Sequence, residues 1–242
     1  MERINILNVK FDNVTMAEAI NKCADFLKTD KVNAIVTPNP EIVMQARKDS
    51  IYQKILNNSE LVIPDGIGVV IGSKILKTPL KERVAGYDLI CNLLNEQSID
   101  NKKIYILGAK PGVAEKAKKN IEIKYNAKVV GLHDGYFKED DEESIIKDIN
   151  NSGANIILVG LGMVRQEKFI DKYKKVLNNI RIAIGCGGSI DVLAGVAQRA
   201  PKFYVEHNLE WFYRLVKQPT RIGRMMQLPK FLLVVAIKKN NN

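Results

Sequence analysis

The 242-residue chain has 46% hydrophobic and 26% charged residues, an ordinary globular balance that excludes collagen-like, low-complexity and disordered classes. Lys and Arg number 37 against 27 Asp and Glu, for a formal charge of +10 and a pI near 9.4, which favours anionic partners: nucleic acid, an acidic membrane or a phosphate-rich substrate. The three cysteines, Cys23, Cys91 and Cys186, are odd in number and lack C-x-x-C spacing, which argues against a disulfide framework or a structural zinc site and fits a reducing cytoplasm.

The first residues lack the charged-then-apolar layout of a signal peptide, so the sequence predicts a protein that is not exported. Short apolar runs then follow in order, and the pattern predicts strands at Ile4–Val9, Ala34–Val36, Leu61–Ile63, Ile104–Leu107, Val129–Leu132, Ile156–Val159 and Ile182–Ile184. Their apolar residues are continuous rather than alternating, as in strands covered on both faces. Thr15-Met-Ala-Glu18 reads as a capping box that opens a helix carrying Ala17, Ile20, Cys23 and Leu27. Further helices are predicted at 41–47, 51–56, 67–76, 88–94, 113–123, 143–149 and 167–176. This alternation predicts an α/β fold: a doubly wound, mostly parallel, Rossmann-like sheet.

In such a sheet the ligand site lies beyond the carboxyl ends of the strands. Those ends carry Thr37-Pro-Asn-Pro-Glu41, Pro64-Asp-Gly-Ile-Gly68, Gly108-Ala-Lys-Pro-Gly112, Gly160-Leu-Gly-Met163 and Gly185-Cys-Gly-Gly-Ser189. Five such loops on one rim point to a phosphate-bearing ligand. Asp65, on a tight turn at a strand end, suits a general base or a cap for the next helix, and spacing does not separate the two. Thr37 and Asn39 are presented by a proline-stiffened loop, or form an ordinary Asx cap. Gly108 and Asp191 fall in glycine-rich turns suited either to a diphosphate and ribose or to close strand packing.

Metal ligation is not expected, because His133 and His207 are far apart and no Asp-x-Asp occurs; the acidic run Glu139–Glu143 reads as a solvated helix start. A departing diphosphate then needs another counter-charge. The planar fork of arginine suits phosphate oxygens, which singles out Arg83, Arg214, Arg221 and Arg224.

From residue 198 the alternation stops. From Lys202 onward eight basic residues face two acidic ones, and Pro219 is predicted to break a helix between Arg214 and Arg221. Residues 1–197 are read as the α/β core and 198–242 as a basic, amphipathic helical appendage. Such a segment suits an anionic membrane surface, a lid over the core, or a contact between copies of the chain. The apolar run Phe231–Ile237 falls far short of the roughly 20 residues that span a bilayer.

Together these segments resemble the WecG/TagA/CpsF family of bacterial glycosyltransferases. The matching residues are Thr37–Glu41, Pro64–Gly68, Glu82-Arg-Val-Ala-Gly-Tyr-Asp88, Gly135-Tyr-Phe137, Gly162-x-x-x-Gln-Glu167, Gly187-Gly-Ser-x-Asp-Val-Leu-Ala-Gly195, Arg199-Ala-Pro201 and Leu209-Glu-Trp-Phe-Tyr-Arg214. One position departs: Val164 stands where the family usually has proline. The resemblance implies an inverting, metal-independent transferase without a cofactor. Its donor would be a UDP-hexosamine and its acceptor an undecaprenyl-diphosphate-linked sugar.

Within the family, the teichoic acid branch implies transfer of N-acetylmannosamine from UDP-ManNAc to undecaprenyl-diphosphate-GlcNAc through a β-1,4 link. Glucose or ManNAc uronic acid remain alternative donor sugars. By the same resemblance Asp65 matches the general base, and Thr37, Asn39, Arg83 and Gln166 the residues that hold the sugar. Gly108, Tyr136 and Asp191 fall at the uridine and ribose, and Arg214, Arg221 and Arg224 at the diphosphate. The implied location is cytoplasmic, peripheral on the inner face of the membrane. A dehydrogenase lacks its dinucleotide fingerprint here. A nucleic-acid module lacks aromatics interleaved with the basic tail. A membrane-surface scaffold leaves the polar strand ends unexplained.

Overall fold

The computed structural model describes residues 2–97, 99–125, 127–217 and 222–240. In chain order the elements are β1 (Arg3–Ile6), β2 (Val9–Asp12), α1 (Met16–Phe26), β3 (Asn33–Val36), α2 (Pro40–Ala46), α3 (Ser50–Asn57), β4 (Leu61–Val62), α4 (Ile67–Ile75), α5 (Gly86–Asn95) and β5 (Lys103–Gly108). They continue with α6 (Val113–Lys124), β6 (Lys128–His133), α7 (Glu142–Ser152), β7 (Ile156–Gly160), α8 (Arg165–Tyr173), β8 (Ile182–Gly185), α9 (Ser189–Leu193), α10 (Lys202–Glu206), α11 (Glu210–Lys217), α12 (Ile222–Met225) and α13 (Gln227–Asn240).

The six strands β3 to β8 form one parallel sheet in the order β4-β3-β8-β7-β5-β6, with helices on both faces: a doubly wound α/β fold of Rossmann type. Alternate strand residues face opposite layers. Ile35, Ile104, Ile106, Leu158 and Ile184 point into the layer of α1, α5, α6 and α9. Tyr105, Leu107, Ile157, Val159 and Ala183 point into that of α7 and α8. The apolar runs are continuous because both sets are buried.

The predicted strand at Ile4–Val9 is corrected. It is two antiparallel strands, paired Ile4 to Phe11 and Ile6 to Val9, and they form a separate sheet. Leu7 and Asn8 adopt φ of 51° and 70° at the tip, and Asn8 N–H donates to Asn5 Oδ1 at 2.9 Å. Leu7 is buried like the strands around it, so an apolar run conceals a reversal of direction. Asp12 fastens this hairpin to the edge of the main sheet: one oxygen accepts from Arg3 at 3.0 Å, the other from Val62 N–H at 2.8 Å.

The capping box at the start of α1 has both of its bonds, Glu18 N–H to Thr15 Oγ1 and Thr15 N–H to Glu18 Oε2. The acidic run forms a 3₁₀ turn over Glu139–Asp141 that leads into α7. The helical boundary expected at Pro219 lies outside the described residues, between α11 and α12.

Helix α13 is tied to the body of the molecule. Phe231 and Val235 are fully buried in a cluster with Val36, Val43, Val62, Val69 and the hairpin. Two glycines one turn apart on α4 admit it. A Cβ on Gly68 would overlap Leu228 and stand 2.6 Å from Pro40 Cγ, and one on Gly72 would stand 2.9 Å from the Phe231 ring. No helix among the described residues is long and apolar enough to cross a membrane.

Candidate active site

Because the sheet is parallel, the loops after its strands share one rim. At the β3/β4 end, Asp65 N–H donates to the Pro38 carbonyl at 3.2 Å and to the Ile63 carbonyl at 3.0 Å, so the turn carrying Asp65 leans on the Thr37–Asn39 loop. Asp65 is half-buried. Helix α4 is entered through Gly66, at φ of 91°, with no side-chain cap at that position. Asn39 does cap: its Oδ1 accepts from Ile42 N–H at 3.0 Å, which fixes α2 with Pro40 in its first turn. Thr37 is half-buried beside it.

Arg83 joins this corner through its neighbour, since Val84 N–H donates to the Pro64 carbonyl at 3.0 Å. Its Nη2 pairs with Glu210 of α11 at 2.8 Å, both side chains being little exposed, at 13% and 14%. Arg83 Nε is buried with no hydrogen-bond partner among the described residues. A second clasp lies nearby: Arg224 Nε donates to Glu41 Oε1 at 2.8 Å. It borders a cleft of about 140 Å³ lined by Glu41, Met44, Met163, Gly223, Arg224 and Gln227. One core cation holds a tail anion, and one core anion holds a tail cation.

At the other end of the rim, Gly108 has φ of 137°, and a Cβ there would overlap the Gly160 carbonyl. Close approach of β5 and β7 therefore requires glycine, in keeping with the packing alternative for this turn. Ala109 N–H donates to Gly160 at 3.1 Å, and Gly135 N–H to the Ala109 carbonyl at 2.9 Å. The loop after β6 is held by Arg165, which donates to the Gly135 and Phe137 carbonyls at 2.9 and 3.1 Å and stacks on the Phe137 ring at 4.6 Å. Tyr136 is thereby left 70% exposed over the rim, its N–H donating to Asp134 Oδ1 at 2.7 Å.

In the middle lies Gln166, only 3% exposed. Its Oε1 accepts from Gly187 N–H at 3.0 Å, and its Nε2 donates to Glu167 Oε1 at 2.6 Å. Glu167 Oε2 accepts from Tyr52 at 3.1 Å and from Val164 N–H at 2.8 Å. Burial raises the Glu167 pKa above the ordinary carboxylate value, against the pull of these donors. Asp191 is half-buried on α9, and its carbonyl accepts from Val196 and Ala197 N–H at 3.0 Å each.

The fold thus places Thr37, Asn39, Asp65 and Arg83 at one end of the rim, Gly108 and Tyr136 at the other, and Gln166 and Asp191 between them. Arg214 lies on α11, Arg224 reaches Glu41, and Arg221 lies outside the described residues. Five residues stood in the sequence without a role. Glu41, Glu167 and Glu210 fall inside the quoted motifs and could have been paired with the basic residues nearby. Arg165 and Tyr52 gave no signal, because a tertiary contact alone reveals them.

Residues 4–242 match the family model of the glycosyl transferase WecG/TagA/CpsF family. The chain is 36% identical over 243 residues to the N-acetylglucosaminyldiphosphoundecaprenol N-acetyl-beta-D-mannosaminyltransferase of Bacillus subtilis strain 168, covering 100% of this chain and 94% of that protein. The protein of the same name in Bacillus spizizenii is 36% identical over 211 residues, 87% of this chain and 81% of its own. That of Staphylococcus aureus strain MRSA252 is 34% identical over 239 residues, 98% of this chain and 93% of its own.

Proposed function

The chain belongs to the WecG/TagA/CpsF family of glycosyl transferases, and from that premise we propose that it transfers N-acetylmannosamine from UDP-ManNAc to undecaprenyl-diphosphate-GlcNAc, forming the β-1,4 link of the wall teichoic acid linkage unit. The observation that carries this reading is end-to-end similarity to relatives named for that transfer, which includes the whole polar rim.

In the proposed reaction Asp65 takes the proton from the acceptor 4-hydroxyl while that oxygen attacks the anomeric carbon from the face opposite UDP. One C–O bond forms as the bond to the diphosphate breaks, and configuration inverts. Asp65 suits the role because its turn is braced against the Thr37–Asn39 loop, which would hold the sugar with Arg83 and Gln166. Uridine and ribose would lie toward Gly108, Tyr136 and Asp191.

No metal is assigned to the diphosphate; the counter-charge would come from Arg214, Arg221 and Arg224, preorganised where negative charge develops. Residues 198–242 would close over the rim, exclude water and rest on the anionic leaflet that carries the lipid acceptor. The clasps Arg83–Glu210 and Glu41–Arg224 support closure by joining rim and tail.

Substitution of Asp65 by Asn tests the assignment of the base. Turnover of UDP-ManNAc should fall by roughly 10²- to 10⁴-fold, as for loss of a positioned base, with UDP affinity retained. An Asp65→Asn variant with wild-type turnover would remove the base from the mechanism.

A further inference from the structure

The proposed chemistry gives Gln166 a sugar to hold but leaves the rest of its buried polar chain without a task. It runs from the Tyr52 hydroxyl on α3, through the Glu167 carboxyl and the Gln166 amide on α8, to Gly187 N–H in the loop after β8. Gln166 and Glu167 are 3% and 2% exposed, and Tyr52 is fully buried. The polarity of the links between Val164, Glu167, Gln166 and Gly187 is fixed by their ends. Gly187 and Val164 can only donate their N–H groups, so Gln166 must turn its carbonyl to Gly187 and its amide nitrogen to Glu167. Glu167 must then accept at both oxygens. A Cβ on Gly185 would stand 3.1 Å from Gln166 Nε2 and 3.2 Å from Glu167 Oε1, so the pair packs closely against the end of β8, where only glycine leaves it space.

We propose that Glu167 is a positioning residue for the transfer. Through Gln166 it fixes the Gly187 peptide, and through Val164 N–H it fixes the loop after β7, so that the two central rim loops hold one shape against the nucleotide. The inference rests on the reading that this rim binds the UDP moiety. It assigns Glu167 no contact with substrate.

These fixed donors make a specific demand on variants. In Glu167→Gln the new carbonyl must face Val164 N–H, which leaves its NH₂ against the NH₂ of Gln166. Gln166 must then turn over and oppose Gly187 N–H with another donor, or lose a bond. Exchanging the two residues, Gln166→Glu with Glu167→Gln, restores an acceptor opposite every donor.

Amide hydrogen exchange at Gly187, followed by NMR on the full chain, reads this directly. Glu167→Gln should exchange at least tenfold faster at Gly187, and the exchanged pair should return to within threefold of wild type. Glu167→Gln with unchanged exchange, or an exchanged pair as open as the single variant, would overturn the proposal. If Glu167→Gln does not fold, the exchanged pair is read alone: protection at Gly187 supports the chain, and loss of protection overturns it.

UDP affinity, measured by calorimetry on the same proteins, separates positioning from mere stabilisation. It should fall about tenfold in Glu167→Gln and recover in the exchanged pair, because UDP lacks the sugar that Gln166 would hold. Opened exchange with unaltered UDP affinity would make Glu167 purely structural and refute a positioning role. Wild-type protein that binds no UDP would instead remove the donor reading, with Gly187 exchange still judging the hydrogen-bonded chain.

Discussion

At the scale of single residues, Val164 shows how a local departure is absorbed. Its φ of 73° is unusual for a β-branched side chain, and proline, fixed near −65°, cannot adopt it. Glu167 holds the strained turn by accepting from Val164 N–H, a donor that proline lacks. Val164→Gly keeps that donor and removes the strain, so it should raise stability in urea unfolding by about 1 kcal/mol; a loss of stability would show that side-chain packing outweighs backbone strain here. Glu167 also sets a pH dependence. Its folded-state pKa is raised by burial, so its contribution is complete below the ordinary value of 4.5 and fades as pH climbs through the raised value. Glutamine cannot titrate, and the stability deficit of Glu167→Gln should therefore be largest below pH 4.5 and shrink as pH rises; a deficit that grows with pH contradicts this.

At the scale of elements, the parallel strands and their helices were legible because hydrophobic period and caps act locally: Thr15 and Glu18 close their box within one turn, and each buried strand shows its apolar run. The hairpin was not legible, since Leu7 is as apolar as the strand residues beside it and only the left-handed backbone at Leu7–Asn8 betrays the reversal. Nor was the seat of α13, which depends on Gly68 and Gly72 meeting Leu228 and Phe231 from the far end of the chain. The candidate site divides the same way. Asp65, Thr37 and Arg83 could be read from motif and loop position, whereas Tyr52 and Arg165 act through contacts that no spacing encodes. The seat of α13 has a measurable consequence. Phe231→Ala should lower stability by about 3–5 kcal/mol, as for other buried phenylalanines, and Gly72→Ala by about 1–3 kcal/mol through overpacking. Thermal unfolding of both variants checks this, and wild-type melting of either would mean that α13 is not bound as described.

At the scale of the molecule, charge and architecture converge on one arrangement. A parallel sheet gathers its polar loops on one rim, and a tail with eight basic and two acidic residues from Lys202 onward joins that rim through Glu41 and Arg83. In the proposed reaction this tail provides the positive charge that steadies a departing diphosphate. Release of UDP from UDP-ManNAc in the presence of a GlcNAc-diphospho-lipid, with and without EDTA, measures that demand when wild type is compared with a variant carrying Gln at positions 214, 221 and 224. Wild-type turnover should be indifferent to EDTA, and the variant should lose at least 10²-fold, the scale seen when preorganised charge stabilisation is removed. Turnover that EDTA abolishes and magnesium or manganese restores, or a variant that works at the wild-type rate, would contradict this.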